Sequence, residues 1–555
     1  MTATADILIE NARVLTMDEG APRAEAIAVK GNRIVAVGTR AEVGATKGAG
    51  TRVIDAGRAT VLPGFIEGHI HIFPGGTSLD GLSLESVSGL DALKSAVRAF
   101  AAKRPDHKIV FARQANYTIL GVGVQVTRHH LDEVLPDRPF AMVAPDGHTV
   151  WANTRALELG GLLHGKETIP GSEIVMAADG KASGELREPG AYGVLNAFTP
   201  TGGREVLGLR TGDDPETPPT AAEREGDRQI LRNALDYCAS LGITSFQNMD
   251  GNRYQLALLE EIDEASGLKV RAQIPFHMMN HMALDRLEEA VAMRARWAGG
   301  RLKSGMVKVF MDGVIDSSTA FMLSDYADRP GVIGDPWFSA EHFAEIATRA
   351  DRLGLQIAVH AIGDAAVRRT LDGYEAAQRA NGRRDSRHRI EHIESIDPAD
   401  IPRFAGLGVI ASMQPTHAPG FVFPPEPTVS RLGARRLKTA YAWQTIRKTG
   451  AHMSFSSDWP VAPLDPILSL KAALVRRPLT EGAPDERQSL EDALAGYTRD
   501  GAHAEFAEGS KGRLKSGMLA DIVVLSGDIE ATPAEALTDL KAAITICDGR
   551  ITHGG

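Results

Sequence analysis

The chain has 555 residues, 43% of them hydrophobic and 24% charged, with a formal net charge of −10. That is the balance of an ordinary globular protein, long enough for several domains or for one large barrel with additions. The negative sign argues against broad attraction to nucleic acid or anionic lipid, and no apolar run reaches the roughly 18 residues of a membrane span.

The segment Met1 to Ile7 has no basic stretch followed by an apolar one, so a cytoplasmic location is expected. Two cysteines, Cys238 and Cys547, are too few for a disulfide scaffold and read as reduced thiols. The first sixty residues then predict short strands. Asp6 to Thr16 is rich in β-branched and aliphatic residues, and Ala26 to Gly38 has the shape of a hairpin turning at Gly31-Asn32. The C-terminus repeats this character in Ala520 to Leu525 and Ala543 to Thr552. Both ends are expected to build one small β-sandwich, from residues 1–60 and 506–555.

Between them, strand-like runs alternate with helical ones, the pattern of a parallel sheet with crossover helices. Eight strands are predicted: Val61 to His71, Thr244 to Met249, Arg271 to His277, Met306 to Gly313, Gln356 to Gly363, His388 to Glu394, Gly408 to Gln414 and His452 to Trp459. The clearest helices are Glu341 to Leu353 and Asp364 to Ala380, with apolar spacing near three and four. The fold class expected is therefore α/β, a (β/α)₈ barrel over 61–74 and 242–505. The stretch 75–241 is too long for one connection. It holds strand patterns of its own, at Lys108 to Ala112 and Pro139 to Ala144, and a polar run from Thr199 to Thr220 expected as an exposed loop. It reads as an inserted subdomain over the barrel mouth.

The chemistry starts at Gly68-His69-Ile70-His71. Residues two apart on a strand face the same side, so two imidazoles converge on one point, as a zinc-class ion requires. A bare His-x-His is weak, and a pair of core histidines would look the same. The end of a barrel strand is, however, where the active sites of this fold lie. His360 and His392 end later strands, and two imidazoles in successive strand ends are hard to explain by packing alone. Asp458, in Ser456-Ser-Asp-Trp-Pro, ends the last strand. Beside a metal it can ligate the ion and carry a proton. Lys308 is cationic and ligates a metal only if CO₂ adds to its amine as a carbamate. A charged lysine that binds an anion remains the alternative.

These residues resemble the amidohydrolase superfamily over nearly the whole length. Gly512 to Leu525 resembles the superfamily's flanking β-domain, and Leu131 to Pro139, Asp146-Gly-His148-Thr-Val-Trp151-Ala-Asn153, Gly242-Ile-Thr-Ser, His360-Ala-Ile-Gly-Asp364, Arg389-Ile-Glu-His392 and Ser457-Asp458-Trp-Pro are similar to its long subgroup, which includes N-substituted formamide deformylase. The resemblance implies that His69, His71 and Asp458 bind a more buried metal and that His360 and His392 bind a second. A carboxylated Lys308 and a nucleophilic hydroxide would bridge the two. It implies one or two divalent ions, with zinc as the expected metal, and places His148 and Trp151 in the substrate pocket. Asp312 and Asp364 would orient ligands. Glu67 and Gly68 stand where the subgroup often has Asp and Ser, and Ile72 to Gly76, Met311 and Val314 to Ser318 also depart from it, which puts the substrate in doubt.

The expected function is hydrolysis of a C–N bond (amide, formamide or N-acyl) in a small molecule. Ester, lactone or carbamate hydrolysis, or deamination, on the same site is the alternative; a non-catalytic scaffold is the alternative of another class. A small-molecule substrate, a possible homodimer, and no nucleic-acid or membrane partner complete the expectation.

Overall fold

The β-branched runs of the first sixty residues form two sheets in the computed structural model, which describes residues 4–145, 147–168 and 172–555. The first sheet has the order Arg33–Gly38, Ala26–Lys30, Ile7–Glu10, Arg52–Asp55. Its expected hairpin is present: Lys30 faces Arg33, and Gly31 takes the left-handed φ of +55° that the two-residue turn needs. The second sheet draws on both ends of the chain, in the order Arg550–His553, Ala542–Cys547, Ile522–Leu525, Thr60–Pro63, Arg13–Leu15, Arg23–Ala24. Alternate apolar residues of the two sheets, among them Ile9, Ile27, Val61, Ile522 and Ile546, share one buried core.

The central region is a mixed α/β fold of parallel strands. One sheet has the order Leu302–Lys303, Arg271–Gln273, Ile243–Asn248, Phe65–Ile70. The other runs Phe276–His277, Met306–Phe310, Gln356–Ala361, Arg389–His392, Ile410–Met413, Met453–Phe455. Helices such as Ala340–Arg352 and Asp364–Asn381 connect successive strands, close to their expected bounds. A parallel bridge joins Ile70 to Trp459, and Asp458 N–H donates to His69 C=O at 3.0 Å, so the last strand's exit lies beside the first.

Three expectations are corrected. The run Val61 to His71 is two strands, divided at Gly64. The first half pairs with Ile522–Leu525 and the second with Ile243–Asn248. A Cβ at Gly64 would stand 2.2 Å from Thr244 Cγ2, so only glycine lets the chain pass from one sheet to the other there. The run Arg271 to His277 also divides, because Pro275 supplies no N–H for a continuous ladder. The polar run 199–220 contains a helix, Arg204–Arg210, with Arg204 and Glu205 buried. Arg204 pairs with the buried Asp227 at 2.6 Å, which offsets the cost of burying its charge.

The chain divides into two compact units, Met1–His71 with Ala234–Gly555, and Ile72–Asn233. The second begins and ends earlier than the expected 75–241. The end of helix Ala221–Ser240 belongs to the first unit, where Ala239 C=O accepts from Thr545 Oγ1 at 2.7 Å. The second unit is built on a sheet of order Glu173–Met176, Ala182–Arg187, Thr149–Ala152, Phe140–Val143, Val110–Arg113, Leu82–Ser83. Alternation along its strands feeds two cores: Phe140, Met142 and Trp151 face one, Ala141, Val143 and Val150 the other. Among the described residues no helix is long and apolar enough to cross a membrane. Both cysteines are free and buried.

Candidate metal centre

The central strands carry their polar residues to one end. His69 lies near the end of Phe65–Ile70 and His71 just past it, Lys308 and Phe310 share a side of Met306–Phe310, and His360 and His392 lie near the ends of their strands. Gly68 makes the approach of the last strand possible: a Cβ there would stand 2.5 Å from Ser454 Oγ. Asp458, His392 and Ile393 all hold positive φ (+61°, +76° and +52°). Such conformations cost non-glycine residues about 1–3 kcal/mol each and cluster where geometry serves function.

Each imidazole is tied through one nitrogen. His69 Nδ1–H donates to Glu391 Oε2 at 2.9 Å, and His71 Nδ1–H to Asp250 Oδ1 at 2.8 Å. His360 Nε2–H donates to the Gly313 carbonyl at 3.1 Å, and His392 Nδ1–H to Gln414 Oε1 at 2.8 Å. In a neutral imidazole this leaves the other nitrogen as a lone pair: Nε2 of His69, His71 and His392, and Nδ1 of His360. The rings crowd together, with centroids 5.5 Å apart for His69 and His71, 4.8 Å for His69 and His392, and 4.5 Å for His360 and His392.

Asp458 Oδ1 stands 3.3 Å from Nε2 of both His69 and His71, is buried, and has no hydrogen-bond partner. Three groups able to offer a ligand atom are turned on one another, and those atoms all lie within 4.8 Å, which suits a cation of the zinc class. The residues therefore fit a divalent ion by their own chemistry. His392, His417 and Asp458 make a second group of that kind. The His392 nitrogen 4.0 Å from Asp458 is Nδ1, however, which Gln414 already holds. His392 is open at Nε2 instead.

Lys308 Nζ is fully buried, has no hydrogen-bond partner, and lies 4.4 Å from the centroid of the Phe310 ring. Burial pushes its amine down to about 8. Burial also depresses His360 and His392 well below the usual imidazole range, helped by the neighbouring positive groups. For His71 burial works the same way, but the carboxylates of Asp250 and Asp458 override it and push the imidazole up to about 9. Burial opposes the charge on Glu391 too, yet Arg389 and His69 hold it down to about 2. Arg389 is itself fully buried and grips Glu391 Oε1 at 2.8 Å, the Gly68 carbonyl at 2.7 Å and Ser412 Oγ at 2.8 Å.

Asp312 accepts backbone N–H bonds from Phe321, Ile362 and Gly363 and lies 3.8 Å from His360 Nε2. Asp364, the first residue of helix Asp364–Asn381, accepts from Leu323 N–H and from Arg436 at the end of helix Thr428–Arg436. The structure thus brings His69, His71, Lys308, His360, His392 and Asp458 to one cluster of contacts. His148 and Trp151 belong to the second unit. There His148 Nδ1 meets Glu188 Oε2 at 2.8 Å, and Trp151 is buried, edge-on to Tyr117 at 5.2 Å. Asp146 of the same motif lies outside the described residues. Sequence reasoning missed His417, Asp250 and Gln414, which follow or end predicted strands and carry the polar signal of strand tips.

Residues 52–553 match the amidohydrolase family. The chain is 30% identical to Protein LONG AFTER FAR-RED 3 of Arabidopsis thaliana over 94% of its own length and 87% of that protein. It is 27% identical to the N-substituted formamide deformylase of Arthrobacter pascens, over 100% of this chain and 99% of that one. A metal-dependent hydrolase of Pyrococcus furiosus superposes with a TM-score of 0.71 at 26% identity, covering 93% of this chain and 98% of that one. The chain belongs to the amidohydrolase family. Family and structural neighbour together support a general hydrolase function.

Proposed function

We propose that this protein cleaves a C–N bond (an amide, formamide or other N-acyl linkage) in a small molecule by metal-assisted hydrolysis. The observation that carries the reading is the convergence of Asp458 Oδ1 on His69 Nε2 and His71 Nε2, 3.3 Å each. Those three residues would hold one divalent ion of the zinc class, and His360 and His392 a second. When bound, such an ion polarises a carbonyl and lowers the pKa of water to about 7.

The chain's own groups do the rest. Asp458 accepts the proton released as water attacks the acyl carbon, then passes it to the departing nitrogen. The C–N bond breaks, the nitrogen leaves as a neutral amine, and the acyl carbon keeps the hydroxyl. Lys308 fits a carbamate bridge: its buried amine, lowered to about 8, has a larger neutral fraction to attack CO₂ than an exposed lysine. An N–C bond forms and one proton is lost. The order of parallel strands, with Ile70 bridged to Trp459, supports reading the central region as a (β/α)₈ barrel.

The test is metal analysis of the purified protein together with hydrolysis of a panel of formamides, anilides and esters. Bound zinc-class ion and turnover of C–N substrates support the reading. Absence of metal from the active protein, or turnover confined to esters, sinks it.

A further inference from the structure

Strand Met306–Phe310 ends in an aromatic side chain to which the hydrolytic reading gives no task. Phe310 stands two residues past Lys308, on the same side of the strand, and pairs in register with His360. Its ring lies 4.8 Å from the His360 ring, and Lys308 Nζ stands 4.4 Å from its centroid. Phe310 also stacks on Trp337, with centroids 5.6 Å apart and planes 30° apart. Three rings therefore run in series from a candidate metal ligand outwards: His360, Phe310 and Trp337.

The outer ring meets solvent. Trp337 is 39% exposed, and Leu323, Val332 and Ile333 of the same connection are exposed too. Exposed apolar side chains gathered on one loop are the mark of a binding surface. Phe310 covers one face of the indole, so the exposed area belongs to its other face and rim. The backbone there is clamped on both sides. Trp337 N–H donates to the Met311 carbonyl at 2.8 Å, and Trp337 C=O accepts from Asn280 Nδ2 at 3.0 Å. Gly334 draws the loop in: it holds φ +70°, and a Cβ there would stand 2.2 Å from the Ala320 carbonyl oxygen. The indole is thus an open flat surface fixed beside the polar cluster. Any apolar group laid on it gains by burying area. An aromatic ring gains more, because offset stacking adds to the area term.

We propose that Trp337, backed by Phe310, is a specificity-determining residue that takes an aromatic ring of the substrate by stacking. This rests on the reading of the neighbouring cluster as a hydrolytic site. The ring reaches the indole from either side of the scissile bond, carried on the acyl carbon or on the nitrogen, and the assay separates the two. Trp337 touches no reacting atom. It holds the ground state and the transition state alike, so its effect falls on KM and not on kcat.

The experiment measures kcat and KM on matched aryl and cyclohexyl pairs. N-benzylacetamide with N-(cyclohexylmethyl)acetamide carries the ring on the nitrogen. N-methyl-2-phenylacetamide with N-methyl-2-cyclohexylacetamide carries it on the acyl carbon. Benzyl acetate with cyclohexylmethyl acetate is the ester pair. The methylene spacer keeps intrinsic reactivity close within each pair. Wild type, Trp337→Leu and Trp337→Phe are compared, with metal content measured on each. In the wild type at least one amide pair should favour its aryl member by about 10-fold in kcat/KM. Trp337→Leu, which keeps apolar area and loses the ring, should bring that ratio to about 1 through KM. Trp337→Phe should keep most of it, and metal content should match the wild type in both. Amide turnover with no aryl preference would overturn this inference and leave the C–N reading standing. So would a preference that survives in Trp337→Leu, or a parallel loss on aryl and cyclohexyl members. Turnover confined to esters, with an aryl preference that Trp337→Leu abolishes, would sink the C–N reading and support this inference. Esters turned over without preference, or none of the six compounds turned over, would overturn both.

Discussion

The two histidine pairs of the site are oriented by the same device and backed by different chemistry. His69 and His71 donate to carboxylates, those of Glu391 and Asp250. His360 and His392 donate to neutral oxygens, the Gly313 carbonyl and the Gln414 amide. Burial depresses both members of the second pair well below the ordinary imidazole range, whereas carboxylates push His71 up to about 9. A carboxylate behind an imidazole raises its basicity and matches the charge of a cation; a carbonyl fixes the ring and no more. On the proposed reading, the first pair would hold its ion more tightly than the second.

Removing the carboxylate that faces both pairs is the largest perturbation. Asp458→Asn should lower kcat by about 10³-fold or more while the thermal midpoint stays within a few degrees. Normal turnover in that variant would refute the proton-carrier assignment. Next come the backing groups. Asp250→Asn and Glu391→Gln should weaken metal binding by about 10–100-fold in competition with a chromophoric chelator. Gln414→Ala should weaken it by only a few-fold, about the worth of one neutral hydrogen bond. Equal losses on the two sides would abolish the distinction drawn here.

The smallest effect is on pH and metal-free stability, and it has opposite signs. His71 is raised from 6.5 to about 9 in the fold, so its contribution is fully present below about 6.5 and is lost as pH rises through 9. His360 and His392 are lowered from 6.5, so the unfolded chain binds protons more readily and stability is lost as pH falls below about 6.5. Thermal midpoints of the metal-free protein should therefore peak near neutrality. His71→Asn should flatten the alkaline limb and leave the acid limb in place.

Sequence alone showed the chemistry that sits on short, regular spacings. His69 and His71 share a strand, and Asp458 lies in a compact Ser-Ser-Asp-Trp-Pro turn, so strand alternation and position were enough to single them out. His417 was not legible, because its partner Glu394 comes from another segment and meets it only in the fold. The division of Val61 to His71 was hidden for a related reason. An unbroken apolar run does not say which partners its two halves will find, and the deciding contact, Gly64 against Thr244, is distant in sequence. Helix Arg204–Arg210 escaped notice because glycine, proline and threonine around it signal a loop, while the pairing of Arg204 with Asp227 lies outside any local window.

Strand Thr60–Pro63 lies between Arg13–Leu15 and Ile522–Leu525. A ribosome releases the first neighbour long before the second, at roughly 5–20 residues per second. For tens of seconds the nascent polypeptide therefore carries an apolar strip with a bare strand edge, open to chaperones and to like chains. Strand Ile522–Leu525 acts as a latch fastened long after its partner is made, and a polypeptide truncated before Ile522 would leave that edge exposed to aggregation or degradation.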